Sequence, residues 1–192
     1  MNVFILPKAD GEFFLFANAP EIEETLPVRF NKIKKMFNEF EKKSAKKHPT
    51  SKTIQDLDKI NEISVFYPSE FEDFKAREVY QNLIKEEIEK NQKLFYLNGA
   101  LLPFSIILTV LPAPNFVFYY LIWKTVSHYK TQVSGNSVQN KMRVLFVADK
   151  NLDILKTEIT KKVNLSRKYK IKEIGEELEI PNLDELYGAG LF

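Results

Sequence analysis

Residues 94–123 read LFYLNGALLPFSIILTVLPAPNFVFYYLIW and contain no charged side chain, although 28% of the residues in the chain are charged. Lys93 and Lys124 flank this uncharged stretch. An apolar segment well beyond about 18 residues without charge is typical of a membrane-embedded helix. The stretch therefore decides whether the chain is interpreted as a soluble domain or as the head of a membrane protein.

A proline-rich break, Pro112-Ala113-Pro114-Asn115, divides the stretch. Proline inside a helix removes a backbone hydrogen bond and clashes with the preceding turn. One straight helix would be ~45 Å long, whereas the hydrocarbon core of a bilayer is ~30 Å thick. We therefore expect a membrane-embedded helical hairpin, whose first arm (residues 95–111) nearly crosses the core and whose second arm enters it for about two turns. The alternative is a buried hairpin of a soluble helical protein.

The ends of the stretch favour the membrane interpretation. Aromatic residues occur near both ends: Phe95, Tyr96, Tyr119, Tyr120, Trp123 and Tyr129. Aromatic side chains with polar edges collect at the membrane–water interface, where Lys124 and Lys130 would extend their charged ends towards the headgroups.

The rest of the chain predicts a mainly α-helical fold with a small β-sheet, class α+β. Residues 3–6 and 13–16 are apolar and flank Asp10-Gly11, a strong signal for a hairpin turn. Residues 143–148 are a third strand candidate, so we expect a sheet that brings both ends of the chain together. The first 20 residues contain one basic residue, Lys8, and we expect neither a secretory signal nor a mitochondrial presequence there.

Apolar residues at helical spacing predict helices between these strands, over residues 27–47 and 51–63. Ser69 and Glu72 have the spacing of a capping box, which predicts that a longer helix begins at Ser69 and runs into the uncharged stretch. Residues 132–137 are predicted to be a polar linker. Two further helices are expected in the C-terminal part, over residues 151–163 with Asn151 as N-cap and over residues 170–178.

We expect one domain over residues 1–192. It consists of an N-terminal hairpin and soluble helical head (1–93), a membrane hairpin broken at the Pro-Ala-Pro-Asn turn (94–130) and a C-terminal strand with helices (131–192).

Composition excludes several classes of function. The chain contains 28 basic and 26 acidic residues, so its net charge of +2 gives little attraction to nucleic acid and no nucleic-acid partner is expected. It has no cysteine, and its two histidines, His48 and His128, lack the spacing of a zinc site, so neither a metal nor a cofactor is predicted. The chain lacks nucleophile-elbow and P-loop motifs, and we expect a protein that is not an enzyme and has no catalytic residue.

The uncharged stretch is also poorly suited to carry ions. Proton and cation pathways place ionisable side chains at membrane depth. The polar side chains of this stretch, apart from tyrosine, are Asn98, Ser105, Thr109 and Asn115. We therefore expect the predicted hairpin to anchor the protein and not to transport ions.

Residues 111–130, LPAPNFVFYYLIWKTVSHYK, resemble the signature of the mitochondrial potassium–proton exchange-related family. That pattern has a Leu-Pro-x-Pro-Asn turn, an aromatic pair, a basic residue and a Ser-His pair. Here these are Leu111, Pro112, Pro114, Asn115, Tyr119, Tyr120, Lys124, Ser127 and His128. The family's usual basic residue is Arg, and Lys124 is less suited to bidentate recognition of phosphate or carboxylate.

The resemblance implies a location in the mitochondrial inner membrane and an association with potassium–proton exchange. We expect a non-catalytic accessory or structural subunit of an inner-membrane complex, such as the respiratory chain or ATP synthase, with the other subunits and membrane lipids as partners. The alternative is a component or regulator of mitochondrial potassium–proton exchange. A third interpretation, from a different class, is a soluble helical binding module.

Six residues are the candidates for contact with lipid or a partner: Asn115, Trp123, Lys124, Ser127, His128 and Lys130. Lys124 and His128 are four residues apart and therefore share one face of a helix. The pair is a candidate for holding a lipid phosphate at the interface, such as that of cardiolipin. The alternative is that His128 caps or packs while Lys124 extends to the interface.

Overall fold

A computed structural model describes residues 1–18, 44–45, 47–58, 60–107, 116–141 and 143–188. Its strands are β1 (Asn2–Pro7), β2 (Phe13–Ala17), β3 (Glu62–Pro68) and β4 (Arg143–Asp149). Its helices are α1 (Pro49–Leu57), α2 (Asp73–Ile107), α3 (Phe116–Lys141), α4 (Lys150–Ile159), α5 (Leu165–Glu177) and α6 (Leu183–Gly188). The helix predicted over residues 27–47 lies largely outside the described residues.

The four strands form one mixed sheet in the order β2-β1-β3-β4. β1 and β2 are antiparallel, and β3 is parallel to both β1 and β4. Gly11 has a φ of +88° in the turn between β1 and β2, a conformation that favours glycine. The α+β class and the three predicted strands are confirmed.

β3 is a strand that the sequence pattern did not predict. Helix α1 ends at Leu57, and Ile63, which was expected at the end of that helix, belongs to β3. The side chains of Ile63 and Val65 are buried on one face of the sheet, while Phe66 packs on the other face. A strand that is paired on both sides and covered on both faces has a continuous apolar sequence. Its sequence therefore lacks the alternation of polar and apolar residues that identifies a strand with one exposed face.

The sheet separates two apolar cores. The first lies between the sheet and helices α1, α2 and α3, and its buried members include Val3, Ile5, Ile54, Ile84 and Val138. The second lies between the sheet and helices α4, α5 and α6, and its buried members include Phe4, Leu6, Leu155, Ile174 and Leu183. The architecture is therefore three layers, with helices on both faces of a central sheet.

The predicted membrane-embedded hairpin is wrong. Among the described residues there is no helix with the length and apolar character needed to cross a bilayer. The uncharged stretch is shared between two helices: its first part, up to residue 107, ends α2, and residues 116–123 begin α3. These parts have lengths of roughly 21 Å and 12 Å, and each is continued by charged or polar turns. The Pro112-Ala113-Pro114-Asn115 turn lies outside the described residues.

Helices α2 and α3 pack side by side as an antiparallel pair. His128 contacts Asn91 near the middle of the pair, and Phe95 contacts Tyr129. The predicted polar linker over residues 132–137 is wrong because these residues belong to α3. The glycine that suggested a linker, Gly135, instead packs against α2, because a Cβ atom there would lie 2.4 Å from Cγ1 of Ile88. The glycine allows a close approach of the two helices and is not a break in the chain.

The capping box predicted for Ser69 and Glu72 is also wrong. Helix α2 begins at Asp73. The hydroxyl of Ser69 donates to the carboxylate of Asp153 on α4, and the backbone N–H of Ser69 donates to the same carboxylate at 3.2 Å. Ser69 therefore connects the end of β3 to a helix on the other face of the sheet.

The two predicted C-terminal helices are present with shifted ends. α4 is capped by Asp149, whose side chain accepts from the backbone N–H of Asn151 at 2.8 Å, so Asn151 lies inside the helix and is not its cap. α5 begins at Leu165 after the N-cap Asn164 and is longer than predicted.

Candidate functional site

A cavity of about 200 Å³ lies between the start of α1 and the packed faces of α2 and α3. We call it the hairpin cavity. Three segments line it: Ser44, His48 and Ser51; Glu87, Lys90, Asn91, Leu94 and Asn98 on α2; and Tyr120, Lys124, Ser127 and His128 on α3.

Helical spacing explains why these side chains meet. Residues three and four positions apart lie on the same face of a helix. Glu87, Asn91, Leu94 and Asn98 follow this spacing on α2, and Tyr120, Lys124 and His128 follow it on α3. Because the two helices are antiparallel and in contact, both polar faces meet along one line.

A buried chain of hydrogen bonds runs from Glu87 through Asn91 to His128. The side chain of Asn91, which is 2% exposed, donates through Nδ2 to Oε1 of Glu87 at 2.9 Å and to the backbone carbonyl of Glu87 at 2.8 Å. Its Oδ1 lies 2.6 Å from Nδ1 of His128. The hydroxyl of Ser51 also donates to the Glu87 carboxylate. The polar atoms at the base of the cavity are therefore held in fixed positions.

These contacts assign the tautomer of His128. The two Glu87 oxygens only accept hydrogen bonds, so the amide nitrogen of Asn91 must face them and its Oδ1 must face the imidazole. Oδ1 also only accepts, so Nδ1 of His128 carries the hydrogen. In a neutral ring Nε2 then keeps its lone pair. Nε2 has no hydrogen-bond partner within the part of the chain that the structure describes.

Gln55 on α1 fixes the segment of α3 that carries His128. Its Nε2 donates to Oγ1 of Thr131 at 2.6 Å and to the backbone carbonyl of Ser127 at 3.2 Å. Thr131 is fully buried and donates in turn to the carbonyl of Ser127 at 3.1 Å. Helix α1 therefore positions the cavity-lining turn of α3 through side-chain contacts.

The cavity is electropositive. Burial, followed by the charges of Lys124 and His48, lowers the pKa of His128 to about 4. Burial, followed by the charges of Lys90 and Lys124, lowers the pKa of His48. Burial, followed by the charges of Lys47 and Lys90, lowers the pKa of Lys124. Burial is the largest cause of each shift, and the positive charges of Lys90 and Lys124, which contribute to the shifts of both histidines, favour an anion in the cavity.

One acidic group partly offsets this charge. Glu87 is the only carboxylate among the described residues that line the cavity, and it pairs with Lys90 at 3.3 Å. The ammonium of Lys124 instead lies 5.3 Å from the centre of the Trp123 ring and has no carboxylate partner in the described ranges. Among the described residues that line the cavity, Lys124 is therefore the cation that remains available to a ligand.

The structure brings together three of the six residues that the sequence singled out. Lys124, Ser127 and His128 all line the hairpin cavity. Trp123 packs against Tyr120 and Lys124 beside the cavity, and Lys130 is exposed outside it. Asn115 lies outside the described residues.

Sequence reasoning missed the residues that complete the site on α1 and α2. His48, Ser51, Glu87, Lys90 and Asn91 line the cavity together with the α3 residues. A signal was present in α2: Glu87 and Asn91 lie at helical spacing from Ile84 and are 9% and 2% exposed. Polar residues that interrupt the buried face of a helix are expected to have buried partners.

The cavity is better suited to an anion than to a metal ion. Within the described ranges no group of three histidine, aspartate or glutamate side chains converges to hold a metal ion. Among the described lining residues, the ammonium of Lys124 offers a ligand the three donors of a lysine, and Nε2 of His128 offers an acceptor.

Together these features define a three-layer α/β/α protein whose helical hairpin contains a partly buried, electropositive binding site. The model of the mitochondrial K+-H+ exchange-related family matches residues 22–142, well over half of the chain, and the chain belongs to this family. The match confirms the resemblance carried by residues 111–130. It indicates a mitochondrial location and a relation to K+-H+ exchange. No curated protein and no solved structure matches the chain significantly.

Proposed function

We propose that this chain is a non-catalytic component of mitochondrial K+-H+ exchange, and that the hairpin cavity is its regulatory anion site. One observation carries the proposal. The residues that line the cavity, from Ser44 to His128, all lie inside the family match of residues 22–142. β1, β2 and helices α4, α5 and α6 lie outside this match. The region common to the family is therefore the region that builds the site.

An anion would provide a partner for Lys124, which has no carboxylate partner in the described ranges. A negatively charged oxygen would accept from the ammonium of Lys124, and such charge-assisted hydrogen bonds are about twice as strong as neutral ones. It would also offset the positive charges of Lys90 and Lys124, which add to burial in lowering the pKa of His48 and of His128. A lipid phosphate, such as that of cardiolipin, is one source of this oxygen.

We further propose that the protein acts at the mitochondrial inner membrane as an accessory subunit, in contact with other subunits of the exchange assembly. Leu97, Phe104 and Val117 on the uncharged parts of α2 and α3 are 57%, 68% and 52% exposed. Apolar and aromatic side chains without neighbouring charge are typical of the centre of a protein–protein interface. This exposed apolar surface therefore supports the proposal that the chain binds a partner subunit. The partner belongs either to the exchange system itself or to a respiratory-chain or ATP synthase complex.

The test is the rate of K+-H+ exchange in mitochondria that lack the chain. We expect the rate to fall after deletion and to recover when the wild-type chain is expressed again. Purified chain alone in liposomes is expected to give no potassium-dependent proton flux, since it is proposed to be an accessory component. Exchange at the wild-type rate after deletion contradicts the proposal, and flux from the purified chain contradicts its non-catalytic role.

A native gel in mild detergent identifies the assembly. Co-migration with a large inner-membrane complex supports the role of an accessory subunit. A chain that migrates only alone or as a self-associated species contradicts it.

A further inference from the structure

Building on the proposed anion site, we infer that the ligand of the hairpin cavity is a phosphate oxyanion that still carries a proton. The site would then distinguish hydrogen phosphate, or a phosphomonoester in its protonated form, from sulfate and from phosphodiesters. This inference narrows the ligand of the proposed function to one chemical class.

The acceptor side of the site is Nε2 of His128. The amide nitrogen of Asn91 is held by Glu87, and its Oδ1 accepts a hydrogen bond from Nδ1–H of His128, so Nε2 presents a lone pair. A ligand that satisfies this atom must donate a hydrogen bond. A fully deprotonated anion would place one acceptor against another.

The donor side of the site is Lys124. Its ammonium carries three hydrogens and no acceptor, and in the described part of the chain no carboxylate neutralises it. The ligand must therefore also present a negatively charged oxygen. Hydrogen phosphate meets both demands within one small ion, because its P–O⁻ oxygens accept from Lys124 while its P–OH group donates to His128.

Burial and the surrounding charges keep His128 neutral in the pH range of the mitochondrion. The groups that face it are Lys124 on α3, His48 before α1, and Glu87 and Lys90 on α2. These three basic groups outweigh the one carboxylate, which itself pairs with Lys90. Burial is the largest cause of the lowered pKa of His128 and the basic groups add to it, so Nε2 remains an acceptor well below pH 7.

Sulfate is the matched competitor for this test. It resembles phosphate in size and charge but carries no proton at neutral pH, so it cannot donate to Nε2. A site built around a hydrogen bond rejects the analogue that lacks the corresponding group, since its own polar atom is then left unpaired. At a partly buried site, the loss of one hydrogen bond predicts about tenfold or more weaker binding of sulfate than of phosphate.

The first experiment is calorimetric titration of the full chain with inorganic phosphate and with sulfate at pH 7 and constant ionic strength. We expect phosphate to bind at least about tenfold more tightly. Lys124→Met should lose binding of both ions. The matched control is Lys130→Met, which removes the same charge from an exposed position of α3 outside the cavity and should bind both ions like the wild type.

A second variant removes the preference. The double variant Glu87→Gln/Asn91→Asp keeps the shapes and the total charge of the two side chains but moves the carboxylate against Nδ1 of His128, which favours the imidazolium and turns Nε2 into a donor. Glu87→Gln is included because Asn91→Asp alone would place its carboxylate against that of Glu87, whose Oε1 lies 2.9 Å from the amide nitrogen of Asn91. The ratio of phosphate to sulfate affinity should fall towards one. Circular dichroism checks that the variant is folded.

NMR of the wild-type histidine rings gives the same information without a variant. The nitrogen shifts should show a protonated Nδ1 and an unprotonated Nε2 for His128, and phosphate should shift the Nε2 resonance. A protonated Nε2 in the free protein contradicts the inference.

Vesicle binding distinguishes the two sources of the phosphate. If a lipid headgroup supplies it, the chain should bind phosphatidylcholine vesicles that contain phosphatidate, a phosphomonoester, better than vesicles of equal charge that contain cardiolipin, a phosphodiester. If the ligand is free phosphate, neither vesicle binds and inorganic phosphate still does.

The outcomes separate the inference from the proposed anion site. Equal affinity for phosphate and sulfate, or preferential binding of cardiolipin, overturns the inference and leaves an anion site in place. Failure of every anion to bind, with Lys124→Met indistinguishable from wild type, overturns both.

Discussion

Two buried tyrosine hydroxyls differ in whether the described residues provide them with a hydrogen-bond partner. The hydroxyl of Tyr187 donates to the backbone carbonyl of Pro7 at 2.7 Å and connects α6 to the end of β1. The hydroxyl of Tyr80, on α2, is buried and has no hydrogen-bond partner among the described residues. Burial raises the pKa of both hydroxyls.

Replacement by phenylalanine should therefore change the free energy of unfolding differently at these two positions. Tyr187→Phe leaves the Pro7 carbonyl unpaired and should lower the free energy of unfolding by about 1–3 kcal/mol. Tyr80→Phe removes an unpaired polar atom and should be neutral or stabilising by up to ~1 kcal/mol. Urea denaturation measures both. A loss of stability at Tyr80→Phe equal to that at Tyr187→Phe would show that the Tyr80 hydroxyl has a partner.

His128 should make the stability depend on pH. Its pKa of about 4 in the folded protein lies below the ~6.5 of an exposed histidine. As the pH falls, the unfolded chain binds the proton first, so the free energy of unfolding is at its full value above pH 6.5 and decreases between pH 6.5 and about 4.

The comparison with His128→Gln isolates this contribution, since His48 and the carboxylates titrate in both proteins. Between pH 6.5 and 5 the wild type should lose more stability than the variant, measured by urea denaturation at each pH. Parallel pH profiles would mean that His128 has an ordinary pKa in the folded state.

At the scale of elements, two helix glycines have different roles. A Cβ atom at Gly135 on α3 would lie 2.4 Å and 2.8 Å from two side-chain atoms of Ile88, whereas a Cβ atom at Gly99 on α2 would meet nothing within 4 Å. The two helices are therefore in close contact at Gly135, whereas the position of Gly99 has room for a larger side chain.

Alanine at the two positions tests this difference. Gly135→Ala should destabilise the protein by about 1–3 kcal/mol, because Ile88 or the helix backbone must move. Gly99→Ala should stabilise it by up to ~1 kcal/mol through helix propensity. Thermal unfolding of both variants is the measurement, and stabilisation by Gly135→Ala would contradict the close packing of α2 against α3.

The elements that the sequence predicted correctly are those with a strong local signal. Asp10-Gly11 between two apolar runs predicts the β1–β2 hairpin, and the apolar run after Arg143 predicts β4. β3 was missed because it is paired on both sides, and the capping box failed because Ser69 bonds to Asp153, a residue far along the chain. The polar linker failed because Gly135 looks like a break unless its contact with Ile88 is known.

Only the part of the candidate site that lies on one helix, α3, was predicted from the sequence. Lys124, Ser127 and His128 share a helix face, and that spacing is visible in the sequence. Their partners on α1 and α2 come from distant positions, and their meeting depends on how the helices pack. The prediction of a membrane hairpin was wrong because the long uncharged stretch was interpreted as membrane-embedded. In the structure two separate helices share this stretch, and the uncharged part of each is short.

At the scale of the whole molecule, the central sheet separates two regions. The first core, with α1, α2, α3 and the hairpin cavity, lies on one face, and all three of these helices fall inside the family match. The second core, with α4, α5 and α6, lies on the other face and outside the match. We expect the first region to carry the function common to the family and the second to support the fold and contacts particular to this chain.

The most direct test compares Lys124→Met with Lys130→Met in mitochondria that lack the native chain, with the rate of K+-H+ exchange as the readout. Both variants remove one lysine charge from α3, but Lys124 lines the hairpin cavity and Lys130 is exposed outside it. With both chains present at equal level, Lys130→Met should restore exchange and Lys124→Met should not. Equal restoration by the two variants would contradict the claim that the hairpin cavity is the functional site.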